Sequence, residues 1–267
     1  MKLKDKYDFN ELLEIIRHLR SPDGCPWDRE QTHESMRGNL LEESYEVVDA
    51  IDEQNSTNLK EELGDLLLQV LLLSEIAAAN QQFTLDDVIT ELSQKLIRRH
   101  THVFGTSRAE NSSQALANWQ KQKAKERKSK LIAERFSTVP RAMPGLKRGQ
   151  KVQDIAAEYN FDWTEPEAVF AKLDEEISEL KEALASGKQA AITEEAGDCL
   201  LVMANLCRHL QVDAELALKQ SVDKFTRRVS QMEKLMLEDG LPAGPFDSDL
   251  SNEYYERMKI LEKGERI

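Results

Sequence analysis

The fold is indicated most clearly by residues 40–73, which have the sequence LLEESYEVVDAIDEQNSTNLKEELGDLLLQVLLL. Glu43 and Glu46 are three positions apart in its first part, and Glu62 and Asp65 are three apart in its second part. Residues at this spacing share one face of an α-helix, with Cβ atoms about 5–6 Å apart. The Asn-Ser-Thr-Asn sequence between the two pairs is typical of a turn. We therefore predict two antiparallel helices that each present a pair of carboxylates.

The second of these helices favours a metal site. It is apolar on nearly all sides from Leu66 to Leu73, which predicts that it is buried. Carboxylates beside a buried helix cost free energy unless a cation compensates their charge. Oxygen ligands suit Mg²⁺ or Mn²⁺ and are poor ligands for zinc or copper. The alternative is a solvated acidic face, which a single Glu-x-x-Glu pair would favour.

The acidic pattern occurs twice in the chain, and this repetition favours the metal site. Glu-Glu-x-x-Glu occupies residues 42–46 and 175–179, and Glu-Glu-x-Gly-Asp occupies residues 61–65 and 194–198. The two strings have the same separation in both copies, which indicates an internal duplication. The second set of candidate metal ligands and catalytic acids is therefore Glu176, Glu179, Glu195 and Asp198.

The length of 267 residues together with the duplication predicts two tandem domains, at residues 1–135 and 136–267. No run of alternating β-branched residues indicates a sheet, so the predicted fold class is all-α. Outside the acidic pairs, the helical periodicity predicts helices at residues 9–19, 85–100, 114–135, 146–159, 214–237 and 252–262.

The overall charge of the chain disfavours two classes of partner. Lys and Arg total 36 against 49 Asp and Glu, which gives a net charge of −13 at pH 7. This balance disfavours bulk binding to nucleic acid or to an anionic membrane.

The sequence has no secretory signal pattern and no apolar run long enough to cross a membrane. Cys199 and Cys207 lie on an apolar stretch and are expected to be buried free thiols. We expect a cytoplasmic protein.

Basic and aromatic residues follow the acidic pairs at matching positions. Lys95-x-x-Arg-Arg99 follows the first set and Lys224-x-x-Arg-Arg228 follows the second. Such a helix face can hold a polyphosphate, with Arg binding through two hydrogen bonds and Lys as a point charge. A charged face that balances the nearby acids is an equally good interpretation.

An aromatic residue and a lysine one helical turn apart then close each half. These are Trp119-x-x-x-Lys123 and Tyr255-x-x-x-Lys259. The ring could stack on a nucleobase while the ammonium binds a phosphate. An aromatic residue packed in the core beside an exposed lysine is the alternative.

These motifs resemble the signature of the all-α nucleoside triphosphate pyrophosphohydrolases, in the tandem form found in the MazG family. The resemblance covers essentially the whole chain, although Tyr255 stands where the family's motif usually has Trp. The segments that carry it are Gly24-Cys25-Pro26-Trp27-Asp28, Leu41-Glu42-Glu43-x-x-Glu46, Glu62-Leu63-Gly64-Asp65-Leu66-Leu67 and Arg98-Arg99-His100-x-His102-Val103-Phe104.

The resemblance implies hydrolysis of nucleoside triphosphates to the monophosphate and pyrophosphate, with Mg²⁺ as cofactor, broad base tolerance and a housecleaning role in the nucleotide pool. It also implies a homodimer formed through helical bundles. The implied metal ligands are Glu43, Glu46, Glu62, Asp65, Glu176, Glu179, Glu195 and Asp198. The implied nucleotide contacts are Lys95, Arg99, Trp119, Lys123, Lys224, Arg228, Tyr255 and Lys259. The competing hypothesis is a non-catalytic helical adaptor or nucleotide sensor that holds Mg²⁺ for structure.

Overall fold

The computed structural model describes residues 2–126, 131–242, 244–245 and 247–262. Regular structure in these ranges consists of helices and includes no strand, which confirms the all-α class. The helices are α1 (Phe9–Leu19), α2 (Pro26–Glu30), α3 (Arg37–Asp52), α4 (Ser56–Ala79), α5 (Leu85–Arg99), α6 (Thr101–Phe104), α7 (Ser112–Lys125), α8 (Ile132–Ser137), α9 (Gly145–Ala157), α10 (Pro166–Ser186), α11 (Gln189–His209), α12 (Ala214–Glu238) and α13 (Ser248–Glu262).

The chain divides into two compact units, Met1–Arg127 and Lys128–Ile267. The division falls before α8, which packs against α9, and Arg135 of α8 forms an ion pair with Glu158 at 2.7 Å. The boundary that the sequence places near residue 135 lies inside α8.

The expectation of one helix over residues 114–135 is wrong. Helix α7 ends at Lys125, and α8 begins at Ile132 after Leu131, whose extended backbone (φ −79°, ψ 128°) cannot continue a helix. Residues 127–130 of this predicted helix lie outside the described part. The basic run consists largely of good helix formers, so its composition contains no stop signal.

In the first unit, α3 and α4 form the expected antiparallel hairpin. The connection is shorter than the sequence indicates, because the Asn55 side chain caps α4 by accepting a hydrogen bond from the Asn58 N–H at 3.1 Å. Helix α4 packs against α1, α3 and α5, and α5 packs against α7. The core consists of Ile16, Met36, Leu71, Leu72, Ile76 and Leu85.

In the second unit, α10 and α11 form the equivalent hairpin. Gly187 ends α10 with φ of +66°, a left-handed conformation that glycine adopts without strain. Helix α11 packs against α9 and α10, and α12 packs against α9 and α13. The core consists of Val169, Leu173, Val202 and Leu206.

The prediction that α4 is buried from Leu66 to Leu73 is only partly correct. Leu71 and Leu72 are buried, but Leu67 and Val70 are 37% and 40% exposed. Leu200 in α11 is 59% exposed. Likewise, the three cysteines are free but only half-buried. The apolar composition of each helix predicts an apolar contact, but it does not say whether the same chain supplies the partner.

Candidate metal and nucleotide site

Helices α3 and α4 bring carboxylates together in the first unit. Oxygens of Glu43, Glu62 and Asp65 all lie within 4.8 Å of one another, and the three residues are half-buried. Glu46, the fourth predicted ligand, is exposed and lies outside this group. Its charge nevertheless raises the pKa of both Glu43 and Glu62, so it stands at the edge of the same acidic region.

Helices α10 and α11 produce the matching cluster in the second unit. Oxygens of Glu176, Glu179 and Glu195 lie within 4.8 Å of one another, and Glu176 is only 6% exposed. Asp198 is the predicted ligand outside this group, although its charge raises the pKa of Glu195. Each unit therefore gathers three of its four predicted acids, and the one left at the edge differs between the units.

The electrostatics of both clusters favour a bound cation. Burial raises the pKa of Glu43, and the neighbouring Asp65 charge raises it further. Burial is also the main cause of the raised pKa of Glu62, followed by the charge of Glu46. In the second unit the pKa values of Glu179 and Glu195 are raised, again first by burial and then by adjacent carboxylates. Ionised, these groups repel one another, and a divalent cation between them would relieve the repulsion.

The residues of the first cluster fit Mg²⁺ or Mn²⁺. The donor set consists of carboxylate oxygens, which hard divalent cations prefer. Gln69, 3% exposed, donates from Nε2 to Glu43 Oε1 at 3.2 Å and so fixes that carboxylate. The Oε1 atom of Gln69 is buried without a hydrogen-bond partner in the described residues, and a buried orphan oxygen needs a donor or a cation.

The second cluster contains a cation of the chain itself. Lys172 Nζ lies 2.8 Å from Glu175 Oε1 and 2.9 Å from Glu176 Oε1. Glu175 and then Glu176 raise the pKa of Lys172, while Lys172 lowers the pKa of Glu179 and Glu195 against the stronger effect of burial. Glu175, the exposed neighbour of Glu176, shares this ion pair with it.

The predicted phosphate-binding arginines of the first unit already have a carboxylate partner. Arg99 Nη2 lies 2.7 Å from Glu126 Oε2, and Arg98 Nε lies 3.3 Å from Glu126 Oε1. Arg99, more than Arg98, lowers the pKa of Glu126. Arg99 also lies over the ring of Trp119, 5.4 Å from its centroid, and Lys123 lies 4.9 Å from the same centroid. Helices α5 and α7 thus form a cationic platform around one aromatic ring.

The second unit repeats this platform on α12 and α13. Arg228 Nη2 lies 2.7 Å from Glu262 Oε2, and Arg227 Nη2 lies 2.9 Å from Glu262 Oε1. Lys259 Nζ lies 5.7 Å from the ring centroid of Tyr255. Phe225 packs beside Tyr255, with ring centroids 6.4 Å apart.

The two remaining predicted nucleotide contacts, Lys95 and Lys224, differ in their exposure to solvent. Lys95 is half-buried on α5, and its counterpart Lys224 is exposed on α12.

Sequence reasoning missed four residues that shape these groups. Glu126 and Glu262 each follow the aromatic residue of their half by seven positions, a repeated spacing that could have revealed them. Lys172 precedes Glu176 by four positions, a spacing at which helical side chains meet. Gln69 gave no signal, because a glutamine inside an apolar helix is indistinguishable from any buried polar residue.

A protein-family model described as the MazG nucleotide pyrophosphohydrolase domain matches residues 31–104 and 164–232. The chain belongs to the MazG family. The two matches include all eight predicted acids and the Lys-Arg clusters, whereas the aromatic-lysine pairs lie outside them. This finding confirms the family resemblance and the tandem organisation.

Two relatives match this chain over almost its whole length. A Thermotoga maritima protein named nucleoside triphosphate pyrophosphohydrolase/pyrophosphatase MazG is 44% identical over 94% of this chain and 95% of its own length. The Escherichia coli K12 nucleoside triphosphate pyrophosphohydrolase is 40% identical over 95% of this chain and 97% of its own length. A crystal structure of a mazG-related protein from Thermotoga maritima is 30% identical, covers 43% of this chain and 98% of its own, and has a TM-score of 0.38.

Proposed function

We propose that this chain is a Mg²⁺-dependent nucleoside triphosphate pyrophosphohydrolase that converts a triphosphate and water to the monophosphate and diphosphate. The observation that carries the proposal is the doubled carboxylate cluster, with three oxygens within 4.8 Å of one another in each unit. The names of the T. maritima and E. coli relatives support the same reaction class. Mn²⁺ is the alternative metal, because it accepts the same ligands.

The carboxylates would hold the metal and prepare the water. Glu43, Glu62 and Asp65 would bind it in the first unit, and Glu176, Glu179 and Glu195 in the second. Mg²⁺ bound there supplies neutralisation of phosphate charge and a lowered pKa of a coordinated water. Glu46 and Asp198, the acids outside the clusters, would accept a hydrogen bond from such a water and receive its proton.

The cationic platforms would bind the rest of the substrate. Arg99 and Arg228 would take phosphate oxygens in place of Glu126 and Glu262, since guanidinium binds both anions in the same bidentate way. Trp119 and Tyr255 would stack on the base. Stacking uses the ring face that every base offers, so it predicts broad base specificity and suits a housecleaning role in the cytoplasm. No helix of the described residues is long and apolar enough to span a membrane.

We also propose a homodimer. Leu63, Leu67 and Val70 form an exposed apolar stripe along α4 at spacings of three and four residues. An apolar helix face exposed to water is costly, and a second copy offers the same surface around a two-fold axis. Light scattering of the pure protein is expected to give twice the chain mass of 30.5 kDa.

The experiment that tests the reaction is product analysis. The full chain is incubated with Mg²⁺ and ATP, GTP, CTP or UTP, and the products are separated by ion-exchange chromatography. We expect nucleoside monophosphate and inorganic pyrophosphate in equal amounts. Orthophosphate with nucleoside diphosphate would overturn the proposal, and metal-dependent nucleotide binding without any product would favour the adaptor or sensor hypothesis.

A further inference from the structure

The two metal clusters differ at one position that carries a charge. Lys172 precedes Glu176 by four residues on α10, and Asn39 precedes Glu43 by four residues on α3. The lysine contacts the cluster, with its Nζ 2.9 Å from Glu176 Oε1. The second cluster therefore has one positive charge that the first cluster does not have at this position.

The first cluster fixes its glutamate by other means. Glu43 accepts a hydrogen bond from Gln69, which carries no charge and leaves the negative charge of the carboxylates intact. The counterpart of Gln69, four residues after the aspartate of the acidic motif, is Val202, which has no polar atom to offer Glu176. Thus an amide orients the glutamate in one unit, and an ammonium partly neutralises it in the other.

We propose that Lys172 makes the two metal sites unequal: without nucleotide, the second site binds a divalent cation more weakly than the first. The inference rests on the proposed function, because it takes the carboxylates as metal ligands. A divalent ion at Glu176 meets a like charge within about one ligand distance, so the lysine has to leave or the ion has to bind a reduced negative charge. Partners of metal ligands change metal affinity by about 10- to 100-fold, so we expect a difference of that order.

The test is a titration of the nucleotide-free full chain with Mn²⁺, in which electron paramagnetic resonance measures the free ion. The unchanged chain is expected to show two classes of site that differ about tenfold or more in affinity. Lys172→Asn gives the second site the residue of the first and should bring the classes together. Asn39→Lys makes the reverse exchange and should weaken the tight class.

Three further variants make the titration decisive. Lys181→Asn removes the same charge from an exposed position of α10 and should leave both classes unchanged. Glu43→Gln should remove the tight class and Glu176→Gln the weak class, which assigns each class to its unit. Circular dichroism checks that every variant keeps its helix content.

The outcomes separate this inference from the proposed function. The inference would be overturned if all sites of the unchanged chain had the same affinity for Mn²⁺. It would also be overturned if Lys172→Asn had no larger effect than Lys181→Asn. Neither result would contradict the proposed reaction. A tight class that Glu176→Gln removes would also overturn the inference. Complete absence of bound Mn²⁺ would overturn the inference, while the product analysis with Mg²⁺ and nucleotide tests the reaction independently.

Discussion

Glu43 in the first half and Glu176 in the second half occupy the same position of the acidic motif but are held differently. The amide of Gln69 donates to Glu43 at 3.2 Å, whereas the ammonium of Lys172 lies 2.9 Å from Glu176. The duplicated backbone thus supports two versions of one site, one with a neutral support and one with a charged support. Equal motifs therefore do not imply equal sites, because residues outside the motif set the charge around its acids.

The largest effect is expected when one cluster acid is removed from each half. Glu62→Gln together with Glu195→Gln is expected to lower kcat/KM by at least about 100-fold, since each change removes a charged metal ligand. The two single variants then divide the activity between the halves, and their rates should add up to that of the unchanged chain. Product formation under saturating Mg²⁺ is the measurement.

Adjacent glutamates provide the control for this variant. Glu61 and Glu194 each precede a cluster acid by one residue, are exposed and lie outside the clusters. Glu61→Gln with Glu194→Gln should therefore retain activity. Full activity of the Glu62 and Glu195 double variant would place the chemistry elsewhere in the chain.

A second prediction compares the two aromatic residues. Replacing Trp119 by Ala should weaken nucleotide binding by about 1–3 kcal/mol, to a similar extent for all four bases, because stacking does not read the base edge. Tyr255→Ala should cost less, since the indole is the larger ring and its ring lies under two cations, Arg99 and Lys123. Calorimetric titration with non-hydrolysable triphosphates measures both. A loss confined to one base would contradict the stacking role.

A third prediction concerns the carboxylates that hold the arginines. Substrate phosphate has to compete with Glu126 for Arg99 and with Glu262 for Arg228. Glu126→Gln and Glu262→Gln are therefore expected to lower KM by about 3- to 10-fold, with little change in kcat, because the competing anion is gone. Glu253→Gln on the exposed side of α13 is the control. An increase of KM in both variants would mean that these glutamates position the arginines.

Much of the fold followed from local patterns in the sequence. The first helical hairpin could be predicted because the spacing of Glu43 and Glu46 fixes a helix face. The start of α5 follows from Thr84, whose side chain caps the helix by accepting a hydrogen bond from the Asp87 N–H. The break after Lys125 could not be predicted, since the surrounding residues are largely good helix formers. The exposure of Leu67 could not be predicted either, because apolarity does not name the partner that covers it.

The candidate site was predictable only as far as the repeated strings extend. Glu126 lies 27 residues from Arg99, and nothing local connects the two. Lys172 lies four residues before Glu176, a helical spacing that the sequence shows. Its difference from Asn39 becomes apparent only when the two halves are aligned. The motif therefore identifies the acids, whereas their partners follow from the packing of separate helices.

The smallest expected effect concerns pH. Glu43, Glu62, Glu179 and Glu195 have raised pKa values in the folded chain, caused first by burial and then by neighbouring charges. A carboxyl whose pKa is raised on folding contributes stability that is complete below its unfolded pKa. That contribution is lost as the pH rises through the folded value. The metal-free chain should therefore lose stability over this range, while Mg²⁺ binds only to the ionised carboxylates and restores it.

Thermal unfolding with Mg²⁺ and with EDTA, followed by circular dichroism, measures this effect. The Mg²⁺-dependent increase in Tm should be close to zero in acid and should reach roughly 5 °C at neutral pH. Lys172→Asn tests whether the lysine causes the difference between the halves. Without the lysine, the pKa values of Glu179 and Glu195 rise further, so the metal-free variant should lose more stability than the unchanged chain as the pH increases. If the variant and the unchanged chain lose stability over the same pH range, the charge of Lys172 does not change the pKa values of Glu179 and Glu195. The two halves would then differ in sequence alone.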